Sequence, residues 1–321
     1  MYQVIKNFHT QFEFEPKIEN AGSLGKYEKY VVIGVGGSNL VTGLVSMWKP
    51  EIDMVIHRSY GLPFLSAQVW QKTLVVASSY SGNTEEPLDG FAEAGKRNLA
   101  RAVISTGGGL LKSAIEEKVS YIKIPDTGIQ PRSAAGFIFL ALLKLMGKEK
   151  EVTEVRDLRL RLNPQDYEKA GQELAKKIKG FVPLIYASLA NEALARNWKV
   201  RFNETGKIPA FYNVFPELNH NEMIGLDVQD STRPLSQNFL VIILKDEEDD
   251  SRIKTRMQVL ADLYRKRGLP VKFLDISGKN KLLKIFSSLV LADWTAYYTA
   301  QEYGVEAEQV PMVEEFKKLI V

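Results

Sequence analysis

The sequence predicts an α/β protein of two domains, each a mainly parallel sheet flanked by helices. Short apolar runs rich in β-branched residues alternate with segments of helical periodicity along the chain, which is the pattern of parallel βαβ units. Several of these runs end in glycines or small polar residues, at the edge where open parallel sheets bind ligands. A charged segment at 148–165 interrupts the pattern, and the same plan then begins again. We therefore predict domains at 1–150 and 151–321.

The first half contains five runs that predict strands. Each is short, mainly apolar and ended by polar residues or glycine, as expected for a strand buried in a parallel sheet. The runs are 30–33, 52–56, 73–77, 101–105 and 121–125. Apolar residues at helical spacing predict helices over 40–47, from about 84 or 85 onward, and over 137–146. Residues 1–27 are a polar and aromatic lead-in that we expect to form one helix or an arm.

The second half repeats this plan. Its predicted strands are 181–186, 211–215, 239–244 and 271–275, of which 239–244 is the clearest because all six residues are apolar. Amphipathic or apolar periodicity predicts helices over 188–203, 252–267, 281–303 and 311–320. Two halves of the same type indicate an internal duplication of one fold.

Composition excludes several classes of site. The formal charge is only +3 on 42 basic and 39 acidic residues, which argues against a protein organised around nucleic acid. The chain has no cysteine, and His9, His57 and His220 do not have metal-ligand spacing. Nothing at the N-terminus is typical of a signal peptide, and no apolar run approaches membrane-spanning length. We expect a soluble cytoplasmic protein without nucleic-acid or membrane partners.

Hydroxyl side chains cluster directly after the strand at 73–77. Ser79, Ser81 and Thr84 precede a predicted helix, and Thr84 is a good residue type for its N-cap. Backbone N–H groups at a helix start, with hydroxyls beside them, form an anion site, and Gly82 lets the backbone approach a ligand. Because the loop has no lysine or arginine, it suits a sugar phosphate better than a nucleoside triphosphate. The alternative is an ordinary strand-to-helix turn.

A second candidate ligand turn, Gly36, Gly37 and Ser38, follows the strand at 30–33. The glycine spacing breaks the dinucleotide-binding pattern at its third glycine, which disfavours a nucleotide site. As an anion-facing turn it offers close backbone approach and one hydroxyl. His57 and Arg58 lie at the carboxyl end of the next strand, where we favour a structural role for His57.

Two residues of the second half are candidates for proton transfer. Glu204 falls at the C-terminal end of a predicted helix, where the helix dipole would raise the pKa of a carboxylate toward the range of a useful base. From spacing alone an exposed helix-end glutamate is the favoured interpretation. His220 lies in a loop between Asn219 and Asn221, whose amides could hold one tautomer of a proton-shuttling imidazole. A surface-loop histidine is the alternative.

Together these stretches resemble the bifunctional phosphoglucose/phosphomannose isomerases, a branch of the phosphoglucose isomerase superfamily with two sugar isomerase (SIS) domains. The resemblance covers nearly the whole chain. Its stretches are 34–38, 79–85, 131–132, 203–204, 217–222 and a lysine near the C-terminus. The order S-x-S-G-x-T-x-E also resembles the SIS phosphate loop, with Ser79, Ser81 and Thr84 at the positions that grip a phosphosugar.

The resemblance implies an aldose–ketose isomerase that interconverts glucose 6-phosphate, and also mannose 6-phosphate, with fructose 6-phosphate through a cis-enediol. It assigns Glu204 as the base between C1 and C2 and His220 as the group that opens the sugar ring. Arg132 is assigned as the cation beside the enediolate. Lys317 matches the C-terminal lysine of the family, with Lys318 as the alternative.

The resemblance further implies that no metal or organic cofactor is needed. In this superfamily the ring-opening histidine comes from the partner subunit, which implies a homodimer. Two other functions stay open, a non-catalytic phosphosugar-binding SIS protein and another SIS sugar-phosphate isomerase. The stretch 305–311 departs from the Asp-Pro and small residues usual in the family, so acceptance of both C2 epimers also stays open.

Overall fold

The computed structural model describes residues 1–320, which form two compact units. The N-terminal unit is Asn7–Leu162, and the C-terminal unit is Met1–Lys6 together with the chain from Asn163 onward. Each unit contains one sheet in which every strand pair is parallel. The predicted α/β class, with two mainly parallel sheets flanked by helices, is confirmed.

The limits of the units differ from the predicted domains at 1–150 and 151–321. The division falls inside the charged segment 148–165, because Glu149–Arg156 is a helix of the N-terminal unit with Val152 and Val155 buried. The first helix, α1 (Tyr2–Lys6), belongs to the C-terminal unit, where the ring of Tyr2 lies 5.1 Å from that of Trp294.

The N-terminal unit is built on a five-stranded sheet. Its strands are β1 (Lys29–Ile33), β2 (Asp53–His57), β3 (Thr73–Ser78), β4 (Arg101–Ser105) and β5 (Ser120–Lys123). Its helices are α2 (Gly36–Trp48), α3 (Ala67–Trp70), α4 (Glu85–Lys96), α5 (Gly108–Glu116), α6 (Ala135–Leu145), α7 (Glu149–Arg156) and α8 (Leu158–Arg161), with 3-10 turns at Phe8–Glu13, Ala21–Ser23 and Pro131–Ser133. Every residue of β3 is buried, as expected where helices cover both faces of a parallel sheet.

The order of the strands determines which loops meet. In the sheet β2-β1-β3-β4-β5, strand β1 lies between β2 and β3. Ile33 at the end of β1 is in register with His57 of β2 and with Ala77 of β3. The turns that follow these three strands therefore lie side by side at the carboxyl edge of the sheet.

The C-terminal unit is built on a four-stranded sheet. Its strands are β6 (Val182–Ser188), β7 (Phe211–Phe215), β8 (Phe239–Lys245) and β9 (Val271–Asp275). Its further helices are α9 (Glu168–Ile178), α10 (Glu192–Glu204), α11 (Glu222–Gly225), α12 (Arg233–Ser236), α13 (Ser251–Lys266), α14 (Lys281–Glu302) and α15 (Pro311–Leu319), with 3-10 turns at Pro164–Tyr167, Leu189–Asn191 and Glu217–His220. The order β7-β6-β8-β9 repeats that of the first four strands of the other sheet, β2-β1-β3-β4.

Helix α10, which ends at Glu204, is fixed against α14. The indole Nε1 of Trp198 donates to Ser288 Oγ at 3.0 Å. Arg201 Nε lies 2.7 Å from Asp293 Oδ1, and the two side chains are only 1% and 6% exposed. Because breaking such a buried ion pair would leave an uncompensated charge, the pair fixes the orientation of α10.

Candidate active site

The predicted phosphate loop is closed by its own hydroxyl groups. Ser79, directly after β3, is buried, and its Oγ lies 2.8 Å from Thr84 Oγ1. The same Oγ accepts a hydrogen bond from the N–H of Gly82 at 3.1 Å. Thr84 occupies the N-cap position of α4, as predicted, but its side chain makes no capping bond to the helix because it faces Ser79. The N–H groups of Glu85 and Glu86, in the first turn of α4, therefore stay available for an anion.

The loop is also bonded to the turn that follows β4. The carbonyl of Gly82 accepts from Leu110 N at 2.9 Å, and Asn83 Oδ1 accepts from Gly109 N at 2.9 Å. Gly82 has a φ of +72°, and a Cβ there would lie 1.9 Å from the carbonyl oxygen of Gly107. Only glycine fits this position, so the loop has a preorganised shape. The exposed Ser81 is held at its tip, where its Oγ accepts from Asn83 N at 3.3 Å.

The second predicted ligand turn lies against the segment that carries Arg132. Helix α2 begins at Gly36, and a Cβ on Gly37 would lie 2.5 Å from the carbonyl carbon of Pro131 and 2.7 Å from the nitrogen of Arg132. The two stretches can make this contact only because residue 37 is glycine. Ser38 and Arg132 are each 3% exposed. The structure thus brings together the candidates of α2 and the candidate cation, which are far apart in sequence.

The segment after β2 joins both turns. Arg58 Nε donates to the Oδ1 of Asn39, next to Ser38, at 2.8 Å. The hydroxyl of Tyr60 donates to Glu85 Oε2, at the start of α4, at 2.8 Å. His57 Nε2 lies 3.1 Å from the carbonyl oxygen of Tyr60, in keeping with the structural role that the sequence favours.

Glu204 is the last residue of α10 and is partly exposed. Its backbone carbonyl accepts a hydrogen bond from Lys207 Nζ at 2.6 Å. The same ammonium donates to the carbonyl of Gln309, which lies just before α15. The sequence places Glu204 correctly at a helix end but gives no indication that this end is joined to residue 309.

His220 is exposed at the end of the 3-10 turn Glu217–His220, which the buried Leu218 anchors. The sequence predicts that the amides of Asn219 and Asn221 hold the imidazole, but in the structure they bond other residues. Asn221 Nδ2 donates to Glu217 Oε1 at 2.8 Å, and Asn219 Oδ1 accepts from Arg256 at 3.4 Å. The hydrogen bonds of both flanking side chains thus go to residues other than His220.

The loop that carries His220 is held instead through Glu222. Its carboxylate accepts hydrogen bonds from the hydroxyl of Tyr186 and from Asn213 Nδ2. Burial, together with the nearby Tyr264 and Glu222, raises the pKa of Tyr186 far above its ordinary value, so this hydroxyl remains a donor. The side chain of His220 is thus exposed on a firmly attached loop.

Both candidate lysines lie on α15. Lys317 Nζ is 2.8 Å from Glu314 Oε1, and Lys318 is its exposed neighbour. Every residue from Pro311 to Leu319 is exposed, and the apolar side chains on the helix include Met312, Val313 and Phe316. The assignment of the active-site lysine to Lys317 stays a prediction.

In the part of the chain that the structure describes, the segment after the second sheet's equivalent of β3 does not repeat the hydroxyl loop. The segment after β8, which corresponds to β3 in strand order, contains five consecutive acidic residues at 246–250. Lys284 Nζ bonds Asp246 Oδ1 at 2.7 Å, and Asp249 Oδ1 accepts from Asn191 Nδ2 at 3.1 Å. Burial raises the pKa of Asp249, although hydrogen bonds from Ser188 and the backbone oppose this shift. A phosphate dianion would be repelled by this acidic segment, so among residues 1–320 the candidate phosphate loop stays the one after β3.

Residues 1–320 contain neither a cluster of side chains that could bind a metal nor a helix that could span a membrane. Among residues 1–320, no three His, Cys, Asp or Glu side chains are grouped so that they could hold a metal ion. Within the same residues, no helix combines the length and the apolar character needed to cross a membrane.

The fold and the hydroxyl loop define a protein of the two-sheet sugar isomerase class. The chain is similar to a solved C-terminal domain of glucosamine-fructose-6-phosphate aminotransferase from Francisella tularensis. The TM-score is 0.68, the sequence identity is 13%, and the likeness covers 96% of this chain and 95% of that one. At this identity the likeness shows the fold alone.

Sequence relatives define the class more closely. The chain is 31% identical to a bifunctional phosphoglucose/phosphomannose isomerase of Aquifex aeolicus, covering 99% of this chain and 97% of that protein. It is 33% identical to the protein of the same name from Caldicellulosiruptor bescii, covering 97% of each. Residues 167–320 match the family model of the bacterial phospho-glucose isomerase C-terminal SIS domain. The chain belongs to the bifunctional phosphoglucose/phosphomannose isomerase family.

Proposed function

We propose that this protein is an aldose–ketose isomerase that interconverts glucose 6-phosphate, and also mannose 6-phosphate, with fructose 6-phosphate. The observation that carries the proposal is the preorganised loop of Ser79, Ser81 and Thr84. It lies in a chain whose relatives are named bifunctional phosphoglucose/phosphomannose isomerases. Hydroxyl groups and helix N–H groups hold the phosphate. Because the phosphate does not react, its binding energy serves to position the sugar carbons.

Proton transfer is assigned to Glu204. In the open-chain aldose its carboxylate removes the proton from C2, and electrons move onto the C1 carbonyl oxygen to give a cis-enediolate. The hydroxyl proton then moves from O2 to O1, and Glu204 returns its proton to C1, which yields the ketose. Arg132 stabilises the charge that develops on the enediolate oxygens, and Lys317 assists at the same reacting end of the sugar.

Ring opening is assigned to His220. Its imidazole removes the proton of the anomeric hydroxyl and returns a proton to the ring oxygen as the C1–O5 bond breaks, which gives the open-chain sugar. We propose a cytoplasmic homodimer in which His220 acts on the sugar bound by the partner subunit. The exposure of His220 on an anchored loop supports a role toward a second molecule of the chain.

A coupled assay with the purified protein tests the function. Glucose 6-phosphate and mannose 6-phosphate are offered separately, and fructose 6-phosphate is detected. We expect turnover of both. Turnover of glucose 6-phosphate alone would keep the mechanism and assign epimer selection to the stretch 305–311, which departs from the family pattern. Turnover of neither, with phosphosugar still bound, would favour a non-catalytic SIS protein or another SIS isomerase.

His220→Ala is expected to slow turnover of the cyclic sugar about 10²-fold or more, because the general acid–base for ring opening is lost. Thermal stability should be unchanged within about 0.5 kcal/mol, since the side chain is exposed. The measurements are kcat for glucose 6-phosphate and the melting temperature. Unchanged turnover would remove His220 from the mechanism.

Mixing two inactive variants tests the source of this histidine. If His220 acts in the partner's site, a dimer of one Glu204→Gln chain and one His220→Ala chain has one intact site. Random exchange of equal amounts should then restore about a quarter of wild-type activity, because half of the dimers are mixed and half of their sites are intact. If both residues serve the site of their own chain, mixing restores nothing.

A further inference from the structure

Lys207 makes two contacts that connect the proposed base to a distant segment. Its Nζ donates to the carbonyl of Glu204 at 2.6 Å and also to the carbonyl of Gln309. Both carbonyls belong to the C-terminal unit, although they are about a hundred residues apart in sequence. Residue 309 lies two positions before α15, the helix that carries Lys317.

The backbone at Lys207 has an uncommon conformation. Its φ is +57°, in the left-handed region that non-glycine residues rarely adopt. This turn follows α10 directly, where Asn203 Nδ2 donates to the carbonyl of Ile208 at 3.0 Å. The conformation directs the lysine side chain back onto the end of α10, where an ammonium interacts favourably with the helix dipole. Such local strain persists only where surrounding contacts outweigh it.

The segment 306–309, whose Gln309 carbonyl accepts the second hydrogen bond of Lys207, is itself held by several hydrogen bonds. The carboxylate of Glu306 accepts from the N–H groups of Glu308 and Gln309 at 2.7 and 2.6 Å. The amino group of Met1 bonds Glu308 Oε2 at 2.6 Å, and Ala307 is buried. Although partial burial opposes ionisation, the two backbone N–H groups and Lys207 lower the pKa of Glu306. The carbonyl of Gln309 is therefore a fixed acceptor.

We infer that Lys207 is a positioning residue, which fixes the proposed base Glu204 relative to residues 305–311 at the start of α15. The inference rests on the proposed function, because it concerns the geometry of its base. A carboxylate that moves a proton between adjacent carbons must lie within near-attack distance of both. A displacement of about 1 Å can cost about 10²-fold in rate.

The test compares Lys207→Met and Lys207→Arg with a matched control, Lys254→Met. Lys254 Nζ also donates to a backbone carbonyl, that of Glu247 at 2.8 Å, on another helix of the same unit. We expect Lys207→Met to lower kcat about 10²-fold. Its affinity for glucitol 6-phosphate, which has no carbonyl and cannot isomerise, should not change. Lys207→Arg should retain most of the rate, and Lys254→Met all of it.

Hydrogen exchange gives a readout that does not depend on turnover. In Lys207→Met, the amides of Glu308 and Gln309 should exchange faster than in the wild type, and in Lys254→Met they should not. An unchanged kcat in Lys207→Met, or an equal loss in Lys254→Met, would overturn the positioning role. If the wild type turned over neither hexose phosphate, the proposed function would fail. Exchange would still decide whether Lys207 joins the end of α10 to 305–311, and unchanged exchange would overturn that connection.

Discussion

Glu204→Gln is expected to lower kcat for glucose 6-phosphate by about 10²–10⁴-fold, because an amide of the same shape cannot accept the C2 proton. Phosphosugar binding should persist, since the proposed phosphate ligands Ser79 and Thr84 are unchanged. The fold should persist as well, because Trp198 and Arg201 hold α10 through contacts that do not involve the Glu204 carboxylate. The measurements are kcat in the coupled assay and the dissociation constant for glucitol 6-phosphate.

Glu302→Gln is the matched control. Glu302 is likewise the last residue of a helix, α14, and its carboxylate forms a surface pair with Lys179 at 3.2 Å. Exposed pairs of this kind contribute about 0–1 kcal/mol, so neither kcat nor stability should change measurably. If Glu204→Gln turned over as fast as the wild type, Glu204 could not be the base.

The strands were predictable because burial in a parallel sheet requires continuous apolar runs. The runs 73–77 and 239–244 coincide within one residue with β3 and β8, which are almost wholly buried. The long helix predicted over 281–303 is confirmed as α14, Lys281–Glu302. It was predictable because its periodicity extends over many turns. The domain limit was harder to place, since α7 is a charged helix whose only buried residues, Val152 and Val155, lie one turn apart.

Contacts between distant segments were not predictable from local pattern. Nothing near Gly37 in the sequence indicates that Pro131 lies against it, because the contact depends on how α2 packs. The connection from Lys207 to Gln309 is of the same kind. A weak signal was present in the stretch 203–207, where a lysine follows a helix end and a glycine. Lysine near a helix C-terminus often bonds the last carbonyls.

Side-chain direction was a further limit. Residue types correctly indicated Thr84 for the N-cap position, but its hydroxyl bonds Ser79 Oγ because the two face each other across the loop. Asn219 and Asn221 were correctly placed in a loop with His220, yet their amides bond other residues. Sequence spacing identifies candidate groups, whereas the backbone of the turn determines which groups meet.

The shape of the phosphate loop can be tested at Gly82. Gly82→Ala would place a methyl group 1.9 Å from the carbonyl oxygen of Gly107, so the loop must move and Ser79 and Ser81 must move with it. A lost hydrogen bond to a charged group costs about 1.5–3 kcal/mol, so KM for glucose 6-phosphate should rise about 10–100-fold. Substrate titration in the coupled assay measures the effect.

Gly147→Ala is the control that separates two effects of Gly82→Ala. One is the steric overlap of the new methyl group with Gly107, and the other is the cost of a non-glycine residue at a positive φ. Gly147 has a φ of +67°, close to the +72° of Gly82, but a Cβ there would meet nothing within 4 Å. Both substitutions incur the cost of a non-glycine residue in the left-handed region, about 1–2 kcal/mol. Only Gly82→Ala should raise KM. An equal KM in the two variants would mean that the geometry of the Ser79–Thr84 loop does not determine phosphosugar binding, and the proposed phosphate site would have to lie elsewhere.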